Sequence, residues 1–289
     1  EQSSYHSLAT RRTSLTDADA TPIRGKKEIG YHTHYMVDGG LNRIILGVLV
    51  TPADVQDHTP MLDLLRWGCF RWQINPKIAV GDSRYGTVEN IVGLFADGVL
   101  PYTPRTEFRK GAKYPYEAFR YDSEQDIYYC PQGHILRKGA LDKDHLTIIY
   151  QASVKHCRSC PVRQMCTTAQ NKGRRISRSY FQEELDRAAA LRQTAAFDKA
   201  MRKRSVWVEP LFGEAKQWHG LTRFRLRRLW RVNIQALLVA SVQNLKRLLR
   251  SRYSHKPHPS PSGMIALQVP KQSVILGLFL LFCSYQFMG

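Results

Sequence analysis

Residues 31–50 constrain the fold more than any other stretch. Residues 31–38 read Tyr-His-Thr-His-Tyr-Met-Val-Asp in alternating character, Gly39-Gly40 supplies a turn, and residues 43–50 form the apolar run Arg-Ile-Ile-Leu-Gly-Val-Leu-Val. Two strand-length segments around a glycine-containing loop predict an antiparallel hairpin. Thr51-Pro52 ends the second strand. Thr59-Pro60 opens a helix through about Trp72, with Met61, Leu64, Leu65 and Gly68 on one face. Residues 77–82 read as a short buried strand closed by Asp82, and residues 87–96 as a helix with Ile91, Leu94 and Phe95 inward. Residues 99–103 read as another strand. Hairpin, helix, strand, helix, strand is the order of a mixed α/β sheet.

Further on the character changes. Residues 105–180 are rich in Tyr, Arg, Lys and Cys, with strand-like pieces at 118–121 and 146–150, and predict a small β-rich insertion. Helix returns at 183–201, 206–218 and 232–249, where Ile234, Leu237, Leu238, Ser241, Leu245 and Leu248 recur at helical spacing and are expected in the core. The organisation expected is an irregular lead-in over 1–29, a main domain split between 30–104 and 181–250, the insertion at 105–180, and a linker with an apolar tail over 251–289. Within that tail, the run at 274–283 is too short to span a bilayer comfortably, so no membrane partner is expected.

Charge narrows the function. Forty-three Lys and Arg against 24 Asp and Glu give a net charge of +19, a field that favours a polyanionic partner, nucleic acid ahead of anionic membrane. Six cysteines do not make a disulfide-dense secreted scaffold, and the opening residues do not resemble a signal peptide. The expected compartment is the reducing cytoplasm.

Two carboxylates invite a chemical reading. Asp82 closes an apolar strand, where α/β folds place ligands and where hard oxygen donors suit a divalent cation. The alternative is a turn or helix-capping Asp. Glu209 lies among Val206, Val208, Leu211 and Phe212, so helical spacing predicts a half-buried carboxylate between the bases Arg204 and Lys216. The alternative is a surface Glu paired with a base, a description that suits Glu214 better. Cys130, Cys157, Cys160 and Cys166, with a C-x-x-C pair among them, suit tetrahedral Zn²⁺ in an insertion with little core. Unligated reduced thiols are the alternative. Along 216–231, Arg223, Arg225, Arg227, Arg228 and Arg231 alternate with Trp218, Phe224 and Trp230, as phosphate-binding bases held by aromatic anchors would. A solvated basic face is the alternative.

Taken in order, these pieces resemble a known family. Thr16-Asp17-Ala-Asp19-Ala20, the segments 30–38 and 50–57, Gly81-Asp82-Ser-Arg-Tyr-Gly86, Cys130-Pro-x-Gly133, Cys157-x-x-Cys160-Pro161, Glu209-Pro-Leu-Phe-Gly-Glu-Ala-Lys216 and Gln243-Asn244 are similar to DDE transposases of bacterial insertion sequences, in the branch with a cysteine-containing insertion. The resemblance covers roughly residues 14–250. It implies a ribonuclease H-like fold and metal-dependent DNA cleavage and strand transfer, with Mg²⁺ or Mn²⁺ on three carboxylates. Asp82 would be the second and Glu209 the third, with Arg204 and Lys216 as auxiliary phosphate-binding residues. DNA ends, target DNA and self-association on DNA are the implied partners. In the family the first aspartate ends a strand ahead of the Thr-Asp-x-Asp-Ala segment, and the residues before Thr16 contain no Asp. The expectation is therefore a truncated copy, incomplete at the first strand, with Asp17, Asp19 and Asp38 as the nearest substitutes and Asp38 beside the site rather than in it. A non-catalytic basic nucleic-acid-binding remnant with a zinc-binding insertion stays open as the alternative.

Overall fold

The structure, a computed structural model, describes residues 14–23, 28–105, 114–254 and 279–288; residues 1–13 and 24–27 of the expected lead-in, and 255–278 and 289 of the expected linker and apolar tail, lie outside them. The chain divides into two compact units, residues 1–106 with 187–289, and residues 107–186.

The first unit is built on one mixed sheet. Strand β2 (Ile29–Asp38) pairs antiparallel with β3 (Ile45–Pro52), Tyr31 facing Pro52 and Thr33 facing Val50, as the alternating pattern predicts. The two-residue β1 (Thr21–Pro22) continues that edge of β2. After α1 (Met61–Trp72) come β4 (Ile78–Val80), α2 (Val88–Ala96) and β5 (Leu100–Tyr102), β4 and β5 running parallel. The expected inward face of α1 is the observed one: Met61, Leu64, Leu65 and Gly68 are buried. At Gly68 an added Cβ would stand 2.1 Å from Met36 Cε, so a larger residue there would displace the end of that methionine.

Nothing so far joins β2 to β4. That place is taken by β11 (Phe279–Met288), antiparallel to β2 and parallel to β4. The apolar tail, which lies outside the stretch of resemblance, thus supplies a central strand of the sheet.

Each face of the sheet carries a core. Met36 and Ala79 pack on the α1 and α2 side with Met61, Leu65 and Leu94. Tyr31, Tyr35, Val80 and Tyr102 face the other way, against α6 (Ala195–His219) and α7 (Leu229–Ser254), through Val208, Leu211, Phe212, Val232 and Ala236. Covering on both sides explains why β2 is buried almost throughout despite its alternating sequence. Helix was expected without a break over 183–201; instead α5 (Gln182–Leu191) ends and Thr194 caps α6, its side chain accepting from Phe197 N.

Helix α7 corrects a second expectation. Its small residues turn inward: Ala236, Val239 and Ala240 are buried, whereas Ile234, Leu237, Leu238, Leu245 and Leu248 are 43–62% exposed. Helical spacing finds an apolar stripe but cannot say which of two apolar faces meets the sheet. Here polar residues decide. Asn233 accepts from Val50 N at 2.8 Å and donates to Val50 O, and Asn244 does the same to Ile45 at 2.8 and 2.9 Å. Eleven residues of helix and five of strand both span roughly 16–17 Å, so the two amides fall in register with the free edge of β3. They satisfy an edge that would otherwise invite another strand. Gln243, fully buried, ties α7 to Leu211 O at 2.8 Å and accepts from Tyr35 OH.

The second unit is a five-stranded antiparallel sheet in the order β10-β9-β8-β7-β6, from β6 (Arg120–Asp122), β7 (Ile127–Tyr129), β8 (Ile135–Asp142), β9 (Thr147–Ala152) and β10 (Arg175–Ser179). Short helices α3 (Val154–Arg158) and α4 (Arg163–Cys166) interrupt it before β10. Its core is a tyrosine cluster, Tyr128 packing against Tyr121 and Tyr150.

Candidate active site and nucleic-acid interface

Asp82 follows β4 in extended conformation, and its Oδ1 accepts from Arg84 N at 2.9 Å, capping the short turn Ser83–Tyr85. The capping reading therefore holds for one oxygen, with the residue half-buried. Leu281 of β11 lies opposite Val80, two residues before Asp82. Position 283 is paired with Tyr35, whose ring stacks on Phe212 at 4.4 Å. Glu209 stands three residues before Phe212, about 4–5 Å along the helix.

Glu209 is not half-buried as expected. Its side chain is 58% exposed, and Val206 is 60% exposed with it. The inward stripe of α6 runs through Arg204, Val208, Leu211, Phe212 and Ala215, and Glu209 lies off it. Arg204 is the buried member, 9% exposed, with Nη2 3.9 Å from Glu209 Oε1. Its Nε and Nη1 are buried without a hydrogen-bond partner, an arrangement that leaves a cation short of acceptors beside an exposed carboxylate. Lys216 is half-buried on the same helix.

The other carboxylates are occupied elsewhere. Asp38 lies opposite Leu280, itself level with Ala79, so it is three residues short of Asp82 and two strands away, about 14 Å by standard strand spacings. Its Oδ1 accepts from Ile44 N at 2.7 Å, holding the hairpin. Burial pushes the Asp38 carboxyl up, against the Ile44 hydrogen bond and Lys203. Asp17 accepts from Tyr31 OH at 2.7 Å and Arg228 N at 3.1 Å, while Asp19 accepts from Leu229 N at 2.9 Å. Both serve the N-terminus of α7, where carboxylates offset unpaired amides. Among the described residues no three His, Cys, Asp or Glu side chains are grouped so as to hold a metal ion.

One ionic group beside Asp82 was not foreseen. His32 Nδ1 stands 3.0 Å from Asp57 Oδ1, and Asp57 also pairs with Arg84. Burial would raise the Asp57 carboxyl, but His32 and Arg84 outweigh it and hold the group below its usual range. His34 is buried on the same side of β2, its Nε2 3.0 Å from Thr51 Oγ1, and burial followed by the charge of His32 pulls it down to about 3. The available signal was His-Thr-His at strand period on an otherwise apolar strand.

In the second unit, Cys130, Cys157, Cys160 and Cys166 line one cavity of about 30 Å³ with His134 and His156. The sequence set these thiols up to 36 residues apart, and the fold gathers them. Burial, then Cys157, Cys130 and Cys160, push the Cys166 thiol up, with Arg174 acting against them. The four are neighbours without converging on a point.

All five arginines of the basic segment, Arg223, Arg225, Arg227, Arg228 and Arg231, are exposed. Of the three expected anchors only Phe224 is buried, edge-on to Tyr31 at 5.8 Å; Trp218 and Trp230 are 71% and 54% exposed. The segment is thus held by Phe224 and Leu229 together with the Asp17 and Asp19 caps. No helix among the described residues is long and apolar enough to cross a membrane.

No curated protein and no solved structure matches the chain. Residues 129–249 match the family described as the transposase DDE domain, a stretch that takes in the four cysteines, Arg204, Glu209 and the arginine segment but stops short of Asp82. Over residues 129–249, then, the chain is similar to a transposase DDE domain.

Proposed function

We propose that the first unit is a ribonuclease H-like catalytic domain and that this protein acts on DNA as a transposase, through phosphodiester cleavage and strand transfer. Asp82 and Glu209 would be two of its carboxylates, Arg204 and Lys216 would bind phosphate, and Arg223, Arg225, Arg227, Arg228 and Arg231 would run along the DNA backbone. The observation that carries this reading is the match of residues 129–249, Glu209 among them, to the transposase DDE domain. The buried, under-partnered Arg204 beside Glu209 adds a site for an anionic oxygen.

A divalent ion on such carboxylates would offset charge developing on the attacked phosphate. The described residues supply two acids there and not three, since Asp17, Asp19 and Asp38 are engaged elsewhere. The donor set for Mg²⁺ or Mn²⁺ is incomplete, and no hydrolytic step follows from it. A second reading is a DNA-binding protein without strand-transfer activity, which the exposed arginines between 223 and 231 would suit. Nicking of supercoiled DNA in Mg²⁺ or Mn²⁺ separates the two. Activity lost in both Asp82→Ala and Glu209→Ala supports the enzyme, whereas salt-dependent binding without nicking supports the second reading.

The thiol-lined cavity would hold zinc, since four soft donors around a volume suited to one ion match that metal. Binding would require the thiols to rotate together. One zinc per purified chain, lost in the double variant Cys157→Ser with Cys160→Ser, is the expected result; zinc-free protein with four reactive thiols would refute it. Self-association would use the exposed stripe of α7, in which Ile234, Leu238, Ser241, Leu245 and Leu248 follow the four-three spacing of helix pairs.

A further inference from the structure

The sheet of the first unit has its two halves built by one part of the chain and its middle by another. Residues 29–52 make β2 and β3, and residues 78–102 make β4 and β5. Among the described residues no backbone pairing joins β2 to β4 directly, and β11 pairs with both. Its register runs from Leu280 opposite Asp38 to Met288 opposite Gly30 on one side, and from Phe279 opposite Ile78 to Leu281 opposite Val80 on the other. The 24 residues between α7 and β11 can reach about 80 Å when extended, ample for any path. A strand from elsewhere in the chain that pairs with two edges at once follows the logic of β-strand addition.

We propose that the gap between β2 and β4 is a strand-acceptor site, and that residues 279–288 are its tethered donor strand, able to rebind as a free peptide. Three features favour this occupant. The segment reads Phe-Leu-Leu-Phe-Cys-Ser-Tyr-Gln-Phe-Met, a mainly apolar run suited to a strand covered on both faces. With β11 seated, both neighbouring strands are buried, from Tyr31 to Val37 on β2 and at Ala79 and Val80 on β4. An empty gap would leave two rows of amides and carbonyls unpaired in the core, which buried backbone does not tolerate. Finally, the donor contains no Asp or Glu, so while it is seated the position paired with Tyr35 carries no added acid. The inference stands on strand pairing and does not depend on the transposase reading.

The test uses the full chain with a protease site placed within residues 255–278. After cleavage, the C-terminal fragment is expected to co-elute with the body, and amides of 31–37 and 78–80 to stay protected from hydrogen exchange. A brief denaturant pulse with removal of the fragment should expose both sets. A synthetic peptide of residues 276–289 should then restore protection, and a scrambled peptide should not. Leu281→Pro in the uncut chain should lower protection on β2 and β4 together, because a central strand has no place for a missing donor. Loss of the fragment on cleavage with protection unchanged, or equal rescue by the scrambled peptide, would overturn the proposal.

Discussion

Mild acid should destabilise the first unit through His34. The imidazole is buried against Thr51 on β2, and it is held neutral down to about 3, against an ordinary value of 6.5. Below pH 6.5 the unfolded chain takes up a proton at this position while the folded chain does not. Stability is therefore intact above pH 6.5 and declines as pH falls toward 3. At pH 5 the gap of 1.5 units below the unfolded value is worth about 2 kcal/mol. Asp57, its ionic neighbour, is shifted the other way; its contribution is present above its unfolded value of 3.8 and is lost only below it, so it stays out of the window between pH 7.5 and 5. The measurement is the urea midpoint at pH 7.5 and pH 5.0 for the protein and for His34→Gln, whose amide can still bond Thr51 but cannot titrate. The protein should lose about 2 kcal/mol more than the variant across that interval. Equal losses would mean that burial does not keep His34 neutral.

Three further outcomes are expected. Glu214 joins Lys246 and Arg247 at 2.6 Å each and is 18% exposed; burial raises it, but these partners prevail and bring it to about 2. Glu214→Ala should cost about 2–3 kcal/mol in a urea titration by loosening α6 from α7, and a loss below 0.5 kcal/mol would make the pair incidental. Replacing Arg223, Arg225 and Arg227 with Ala should flatten the slope of log affinity for duplex DNA against log salt by about 0.9 for each phosphate no longer neutralised. An unchanged slope would assign those bases to solvent. The double variant Leu238→Glu with Leu245→Glu should leave the protein monomeric in sedimentation without lowering its stability, since both side chains are 56–62% exposed in the single chain; self-association that survives it would move the interface elsewhere.

Much of the chemistry was legible from local pattern. The hairpin followed from period-two alternation, α1 presented the predicted face, and the cysteines could be grouped from their spacing alone. Asp82 drew notice because a carboxylate ending an apolar run is unusual, and Glu209 because of its neighbouring motif. The exposure of Glu209 was misjudged, since the inward stripe of α6 is set by the sheet it meets. Asp17 and Asp19, candidates for catalysis in the linear reading, turned out to cap a helix that begins more than 200 residues later. No local pattern carries information about so distant a partner.

By itself, then, the sequence determined the basic surface, the alternation of strands and helices through residue 105, the apolar stripes and the set of residues able to do acid, thiol or phosphate chemistry. These depend on composition and on periods of two and 3.6, which each segment carries alone. Tertiary structure decided which face of α7 is inside, which carboxylates cap a helix or hold a turn, and that residues 279–288 lie between β2 and β4. Those outcomes rest on pairings between segments far apart in the chain: two asparagine amides meeting one strand edge, two aspartates meeting one helix end, and one apolar run satisfying two rows of backbone at once.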